Sequence, residues 1–378
     1  MKTLPKVTIP TQTHDRLRAL AAQVLAGARG ELADGTAYWR PDGEGRYDGV
    51  WLRDFCYAVE GAADLLPGEA ILPVVDLFLR HQRDDGSIPT RVMADGQPDY
   101  LEGPREAPIG SAPPTDNPSF LAKTICAYVE RTGDWRALCH RLHALTLAVD
   151  SVPRDRDGLV VIDPAVPGSG YGFTDCIAKT GRELFSSLLT WEAFRRLAET
   201  CRRWELHEEA HDWYERAQPM EAAIGGFYEP DWGMFMAATR DGRQIDVWGS
   251  AYACVIGATS SKQRGTVRAW LLGRPQAWGW RAHVRHLPAG EHWASLLRPV
   301  EPETYQNGGY WAVATGWVAQ VLFTQDKALA RSIIEDVLAE FEDFGVMEWI
   351  HPERGRHTRS YVASVCNVLA SVAPSRKL

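Results

Sequence analysis

The 378-residue sequence lacks most of the features that would assign it quickly. It has no basic block: 41 Lys and Arg stand against 49 Asp and Glu, a net charge of −8. Without a basic stripe there is no electrostatic footprint for a phosphate backbone, so nucleic acid is not an expected partner. No window approaches the roughly 20 apolar residues that span a bilayer, and the opening MKTLPKVTIPTQTHDRLRAL has no apolar core followed by small cleavage-site residues. The expectation is a cytoplasmic protein without a membrane partner.

Chemistry-bearing motifs are also scarce. The seven cysteines show no CxxC spacing and mostly fall within apolar helical stretches, where cysteine behaves as a small hydrophobe; they read as reduced and structural. There is no HExxH, no GxSxG, no phosphate-binding loop and no metal-spaced Cys/His set. His207 and His211 have i, i+4 spacing, but on a charged helix that reads as a solvated face. No metal and no cofactor are expected.

Helical periodicity, by contrast, is abundant. Apolar residues recur near every 3.6 positions over 13–28, 51–66, 70–82, 118–132, 134–150, 177–201, 206–224, 247–258, 262–272, 309–323, 326–343 and 360–373. Every second segment, as in GSAYACVIGAT and GYWAVATGWVAQVL, is small-residue rich and nearly uncharged, the composition of a helix buried all round. Those between, such as RSIIEDVLAEFEDF, have one apolar stripe and one charged face. Inner helices begin every 50 to 70 residues or so, which predicts six helical hairpins in a ring: an all-α (α/α)6 barrel spanning 1–378 as a single domain. One strand signal stands out, two short runs flanking Asp241-Gly242, and it predicts a small inserted hairpin.

In such a ring the inner helices run the same way, and their N-termini converge at one end with free N–H groups and partial positive charge. The unusual sequences lie there: YDGVWLRDFCY, PPTDNPSF, GYGFTDCIAKTG, GRQIDVWGSAY, ETYQNGGYWA and RHTRSYVAS. They mix aromatics, carboxylates, amides and glycines beyond what a helix start needs. Fifteen tryptophans suit either a bulky core or the apolar faces of pyranose rings. Candidate binding residues are Trp51, Arg53, Asp54, Asp116, Asn117, Tyr171, Asp246, Trp248, Gln306, Asn307, Trp311 and Trp349. Arg53 and Asp54 offer a fork and a carboxylate for vicinal hydroxyls, whereas Gln306 and Asn307 combine donor and acceptor beside two glycines. Asp175 follows a glycine-rich loop whose aromatics would desolvate it toward the pKa of a general acid; Asp163 and Asp246 are its rivals. Asp175 could instead be a helix N-cap. Residues 84–118 are proline-rich and aperiodic, and read as a lid or as a disordered excursion.

Together these motifs resemble the inverting six-hairpin glycosidases, the group that includes trehalases, processing α-glucosidases, mannosylglycerate-type hydrolases and neutral invertases. Trp51-x-Arg53-Asp54 is similar to an element that holds the sugar in glucoamylase-like members, and YQNGGYW resembles the NGG-W segment. In that group the general base is a Glu seven positions before a glycine, a place that Glu348 takes relative to Gly355 in EWIHPERG; Glu353 is then a solvated neighbour. Asp175 stands in the acid's place, in GYGFTDCIA rather than beside Ser-Gly-Trp or Ser-Gly-Leu. The resemblance implies an inverting hydrolase of a small glycoside, such as an α-glucoside, with Asp175 as acid and Glu348 as base on diametrically opposed hairpins. Two other chemistries fit the same fold: an epimerase using His351 and His357, or a phosphorylase in which phosphate replaces the base. A non-catalytic sugar-binding protein is the remaining reading.

Overall fold

The computed structural model describes residues 3–375. Among the described residues thirteen α-helices occur in order: α1 (Thr11–Ala28), α2 (Leu52–Ala62), α3 (Ile71–Arg80), α4 (Asn117–Thr132), α5 (Trp135–Asp150), α6 (Leu184–Arg203), α7 (His207–Ala223), α8 (Val247–Ile256), α9 (Ser261–Gly273), the single turn α10 (Pro275–Trp278), α11 (Thr315–Phe323), α12 (Lys327–Phe344) and α13 (Val362–Ala370). Helices α2, α4, α6, α8, α11 and α13 each pack on the next, and α13 closes the ring on α2. All twelve periodic segments contain a helix, and their alternation of inner and outer is that of an (α/α)6 barrel.

Composition explains the alternation. All nine residues of α11 and all from Asn117 to Val129 of α4 are buried, with alanine, glycine and threonine letting inner helices approach closely. In α12 the buried residues are Ala330, Ile333, Ile334, Val337, Leu338, Glu340 and Phe341, a 3–4 repeat with a wet opposite face. Caps stop the helices from fraying: Asp134, Asp246, Asp326 and Glu183 each accept a backbone N–H at the start of α5, α8, α12 and α6, and Ser260 forms a capping box on α9. The two ends of the described chain meet, because strand Val7–Ile9 pairs in parallel with Val372–Pro374.

The structure corrects three boundaries. The third inner helix begins at Leu184 rather than 177, since Gly181–Arg182 pairs as a strand with Val161–Ile162 and Glu183 then caps the helix. The fifth begins at Thr315 rather than 309: Tyr310 and Trp311 are extended and bridge to Ile350 and Val284 before a 3-10 turn leads into the helix. The sixth begins at Val362, after Ser360 in a left-handed conformation. The expected single hairpin is an undercount. Around Asp241-Gly242 only isolated bridges form; the paired strands are Tyr228–Glu229 and Met234–Phe235, and seven small sheets occur in all among the described residues. One of them, Met347–His351 with Gly355–Arg359, precedes α13 and carries Glu348.

Candidate active site

The segments leading into the six inner helices meet over the N-terminal end of the ring. Those leading into α2, α4, α6 and α11 enclose a cavity of about 600 Å3 lined by Tyr47, Trp51, Glu102, Asp175 and Tyr305, among others, with Arg46, Arg91, Arg105 and Arg298 also on its walls. The 84–118 segment is neither disordered nor a detached flap: Arg91–Met93 pairs with Gly49–Trp51 on one side and with Pro98–Asp99 on the other, and forms one wall. Arg91 lies over the Trp51 ring, 5.2 Å from its centroid, and holds Asp99.

Asp175 and Glu348 precede α6 and α13, which are separated by two inner helices whichever way the ring is followed. Asp175 lines the cavity. Its Oδ1 accepts from Gln306 Nε2 at 2.8 Å, and burial, reinforced by the nearby charge of Glu102, pushes its pKa up to about 6. Glu348, 3% exposed, stands one hydrogen bond behind the wall: Tyr47 donates its hydroxyl to Oε1 at 2.7 Å. Burial raises Glu348 to about 7, against the opposing pull of Thr358 first and then of Tyr47 and Arg46, and the charge of Asp175 adds to the rise. Asp54 is raised to about 7, again mainly by burial, and its Oδ1 has no hydrogen-bond partner. Tyr47, Tyr305 and Tyr361 are held well above the usual phenol range by burial first; neighbouring carboxylates come second for Tyr47 and Tyr361, and Tyr47 does so for Tyr305. The chemistry available is proton transfer by carboxyls in a desolvated, hydroxyl-lined pocket.

Several candidates serve this site from behind. Arg53 is 3% exposed, and its guanidinium contacts Glu102, Thr90 and Asp116 instead of facing open space. The fork expected to grip hydroxyls therefore grips protein carboxylates and anchors the cavity wall. Gly172 permits this, because a Cβ there would fall 1.7 Å from Arg53 Cζ. Asp116 also accepts from the Gly172 amide at 2.8 Å, and burial raises it to about 6. Asn117 is buried with both side-chain polar atoms unpartnered.

Other candidates belong to the framework. Asp246 caps α8 through the Gly249 amide at 2.8 Å, and burial raises it to about 6. Asn307 clamps a turn, accepting from Trp293 N and donating to Val300 O. Tyr171 is bonded to Tyr57 and stacked on Phe185 at 3.9 Å. Trp248 and Trp311 are fully buried, and their indoles donate to Val284 O and Tyr305 O. For these the bulky-core reading of tryptophan holds. Trp349 stacks on His357 at 3.8 Å with its edge toward Tyr305, and of the tryptophans Trp51 is the one on the cavity wall. Asp163 and Glu353 are exposed and lie off the cavity.

Sequence reasoning missed Tyr47, Glu102, Tyr305 and Tyr361. Tyr47, Tyr305 and Tyr361 stand inside motifs already singled out, so their proximity was a usable signal; Glu102 sits in the aperiodic segment and left none. Among the described residues no group of three His, Cys, Asp or Glu side chains is arranged to hold a metal ion.

No family model matches the chain, and no curated protein does. Solved structures match its shape. A rhamnosidase from Klebsiella oxytoca with rhamnose bound superposes with a TM-score of 0.66 at 16% identity, over 98% of this chain. This chain spans only 65% of that longer one. A GH63 mannosylglycerate hydrolase from Thermus thermophilus in complex with glucose gives 0.66 at 19% identity, covering 94% of this chain and 99% of its own. The glucoamylase of Saccharomycopsis fibuligera gives 0.63 at 12%, covering 98% and 96%. What is shared at these identities is the architecture: this chain has the (α/α)6 six-hairpin fold that those glycosidases have.

Proposed function

We propose that the protein is an inverting glycoside hydrolase acting on a small carbohydrate, with Asp175 as general acid and Glu348 as general base. The observation that carries this reading is a pair of carboxyls on opposed segments of the ring, both raised by burial into the range useful for proton transfer: Asp175 on the cavity wall, and Glu348 bonded to the wall residue Tyr47. Asp175 protonates the leaving oxygen as the glycosidic bond breaks. Glu348 takes a proton from a water that attacks the anomeric carbon from the other face, so configuration inverts. In an inverting enzyme the carboxyls stand roughly 6.5 to 9.5 Å apart to admit that water.

Similarity in fold to a mannosylglycerate hydrolase, a rhamnosidase and a glucoamylase supports sugar chemistry. Histidine-based epimerisation has less support: His351 Nε2 is held by Glu303 at 3.0 Å, and His357 is stacked on Trp349. The test is a panel of α- and β-linked disaccharides and glycosyl-glycerates with purified protein, with and without phosphate, followed by proton NMR of the first-formed anomer. Inversion in phosphate-free buffer is expected. Retention of configuration, or turnover only with phosphate, would reject the assignment.

A further inference from the structure

Gln306 has the geometry of a clamp. Its Nε2 donates to Asp175 Oδ1 at 2.8 Å, while its Oε1 accepts the backbone N–H of the next residue, Cys176, at 2.9 Å. A peptide N–H can only donate, so the amide cannot be flipped, and the atom facing Asp175 is a donor. A second contact from Nε2, to Gly172 O at 3.4 Å, ties it to the other side of the same loop. The side chain is 1% exposed, and its whole hydrogen-bonding capacity is directed at residues 172–176.

We infer that Gln306 is the positioning residue of the acid: it occupies Oδ1 of Asp175 and thereby keeps the transferable proton on Oδ2. Resting on the hydrolase reading, this adds a division of labour between the two oxygens. A protonated Oδ1 would set a hydroxyl against an N–H, two donors facing each other, so the neutral acid has one productive form. In the chemical step the Oδ2–H bond breaks, the proton moves to the glycosidic oxygen, the bond electrons of the severed C–O bond go to that oxygen, and the carboxylate left behind is the form that Nε2 binds best. The other titratable or charged groups around Asp175 are Glu102, Arg298, Tyr47 and Tyr305 on the cavity wall, Arg53 and Glu348 behind it, and Cys176, whose thiol also bonds to the Asp175 carboxyl. The Gln306 amide is the N–H donor on Oδ1.

NMR tests this without a known substrate. In wild-type protein carrying 13C-labelled aspartate carboxyls, with Asp175→Asn identifying the signal, the Gln306 side-chain 1H–15N peak should move along the Asp175 titration. Gln306→Met keeps length and removes the donor, and it should raise the Asp175 midpoint by about one pH unit. It should also slow glycosides with poor leaving groups tenfold or more relative to a glycosyl fluoride, which departs with little acid help. A Gln306 peak that ignores the titration overturns the clamp, and so does an unmoved midpoint or an equal loss on both substrate types. Should Gln306→Met fail to fold, the wild-type peak decides alone. The NMR readings also separate this inference from the hydrolase reading: an intact clamp in a protein that stays active as Asp175→Asn rejects the acid role and leaves the contact standing.

Discussion

The two ends of the barrel make an instructive contrast. Each holds a cavity of similar size, about 600 Å3 at the N-terminal ends of the inner helices and about 590 Å3 at their C-terminal ends, and each buries ionisable groups. At the C-terminal end charges are matched. Lys123, 2% exposed, lies 2.6 Å from Glu192 and 3.4 Å from Glu60 and donates to Tyr252; Arg196 contacts Glu60 and Glu130. Burial works to raise Glu60, but Lys123 and Arg196 overcome it and hold it below the ordinary value. At the N-terminal end the buried guanidinium of Arg53 is taken by Glu102 and Asp116, so Asp54, Asp175 and Glu348 are left to burial and rise. Burial alone therefore does not distinguish a site from a strut. At the C-terminal end two cations hold Glu60 ionised, whereas at the N-terminal end burial prevails even over the Arg53 contact of Asp116 and also raises the cap Asp246. A raised carboxyl is therefore poised for proton transfer only where it also reaches the cavity, as Asp175 does.

The largest effect expected from breaking this contrast is on turnover. Glu348→Gln should lower kcat by about 10^3-fold or more, because an amide cannot take the water's proton, with substrate affinity largely kept. Lys123→Met, at the other end, should leave kcat within a fewfold while destabilising the protein by about 1–3 kcal/mol, since half-buried Glu192 loses its cation and Glu60 keeps only Arg196. Denaturant titration beside steady-state kinetics checks both; a Lys123 variant impaired in kcat but not in stability would erase the distinction. Arg53→Ala joins the two regimes. It leaves Glu102 and Asp116 unpaired, so stability should fall along with activity.

A smaller effect concerns pH. The proposed reaction needs Asp175 protonated and Glu348 ionised, yet their values, about 6 and about 7, lie in the opposite order, so on that mechanism only a minority of the free protein carries the productive pair. The kcat/KM profile should be a narrow bell centred between pH 6 and 7, and a broad plateau from 5 to 8 would contradict it.

The smallest effect is on melting. The folded-state pKa of Glu348 is raised above its unfolded value, so the native state holds its proton more tightly and stability falls as pH rises from the unfolded value near 4.5 through about 7. Glu348→Gln removes that penalty. It should raise Tm by about 3 °C at pH 8 and change it little at pH 5. Calorimetry at the two pH values reads the difference.

Much of this architecture was legible in the sequence, because inner and outer helices differ in composition along their whole length. The periodicity in GYWAVATGWVAQVL survives errors at single residues. What was not legible are features that depend on one or two contacts. Arg53 points at Glu102 rather than at solvent because a distant loop brings that carboxylate to it, and nothing local in WLRDF encodes the encounter. The strand under Glu348 was missed for another reason. MEWIH is short, and its pairing partner GRHTR is polar and fits no alternating pattern, although Pro352 and Gly355 did mark the turn between them. Trp248 and Trp311 show the same limit, since an aromatic at a helix start reads alike whether it faces a ligand or the core.

The pairing of Val7–Ile9 with Val372–Pro374 makes the ring a belt with a buckle. The strand of residues 372–374 follows α13 directly, and α13 follows the hairpin that carries Glu348. A fluctuation that unfastens three residue pairs at the buckle is expected to slacken the hairpin whose carboxylate accepts from Tyr47. Amide exchange at Val7, whose N–H is bonded to Ser371 O, is then a gauge of how long the geometry of the proposed base persists between openings.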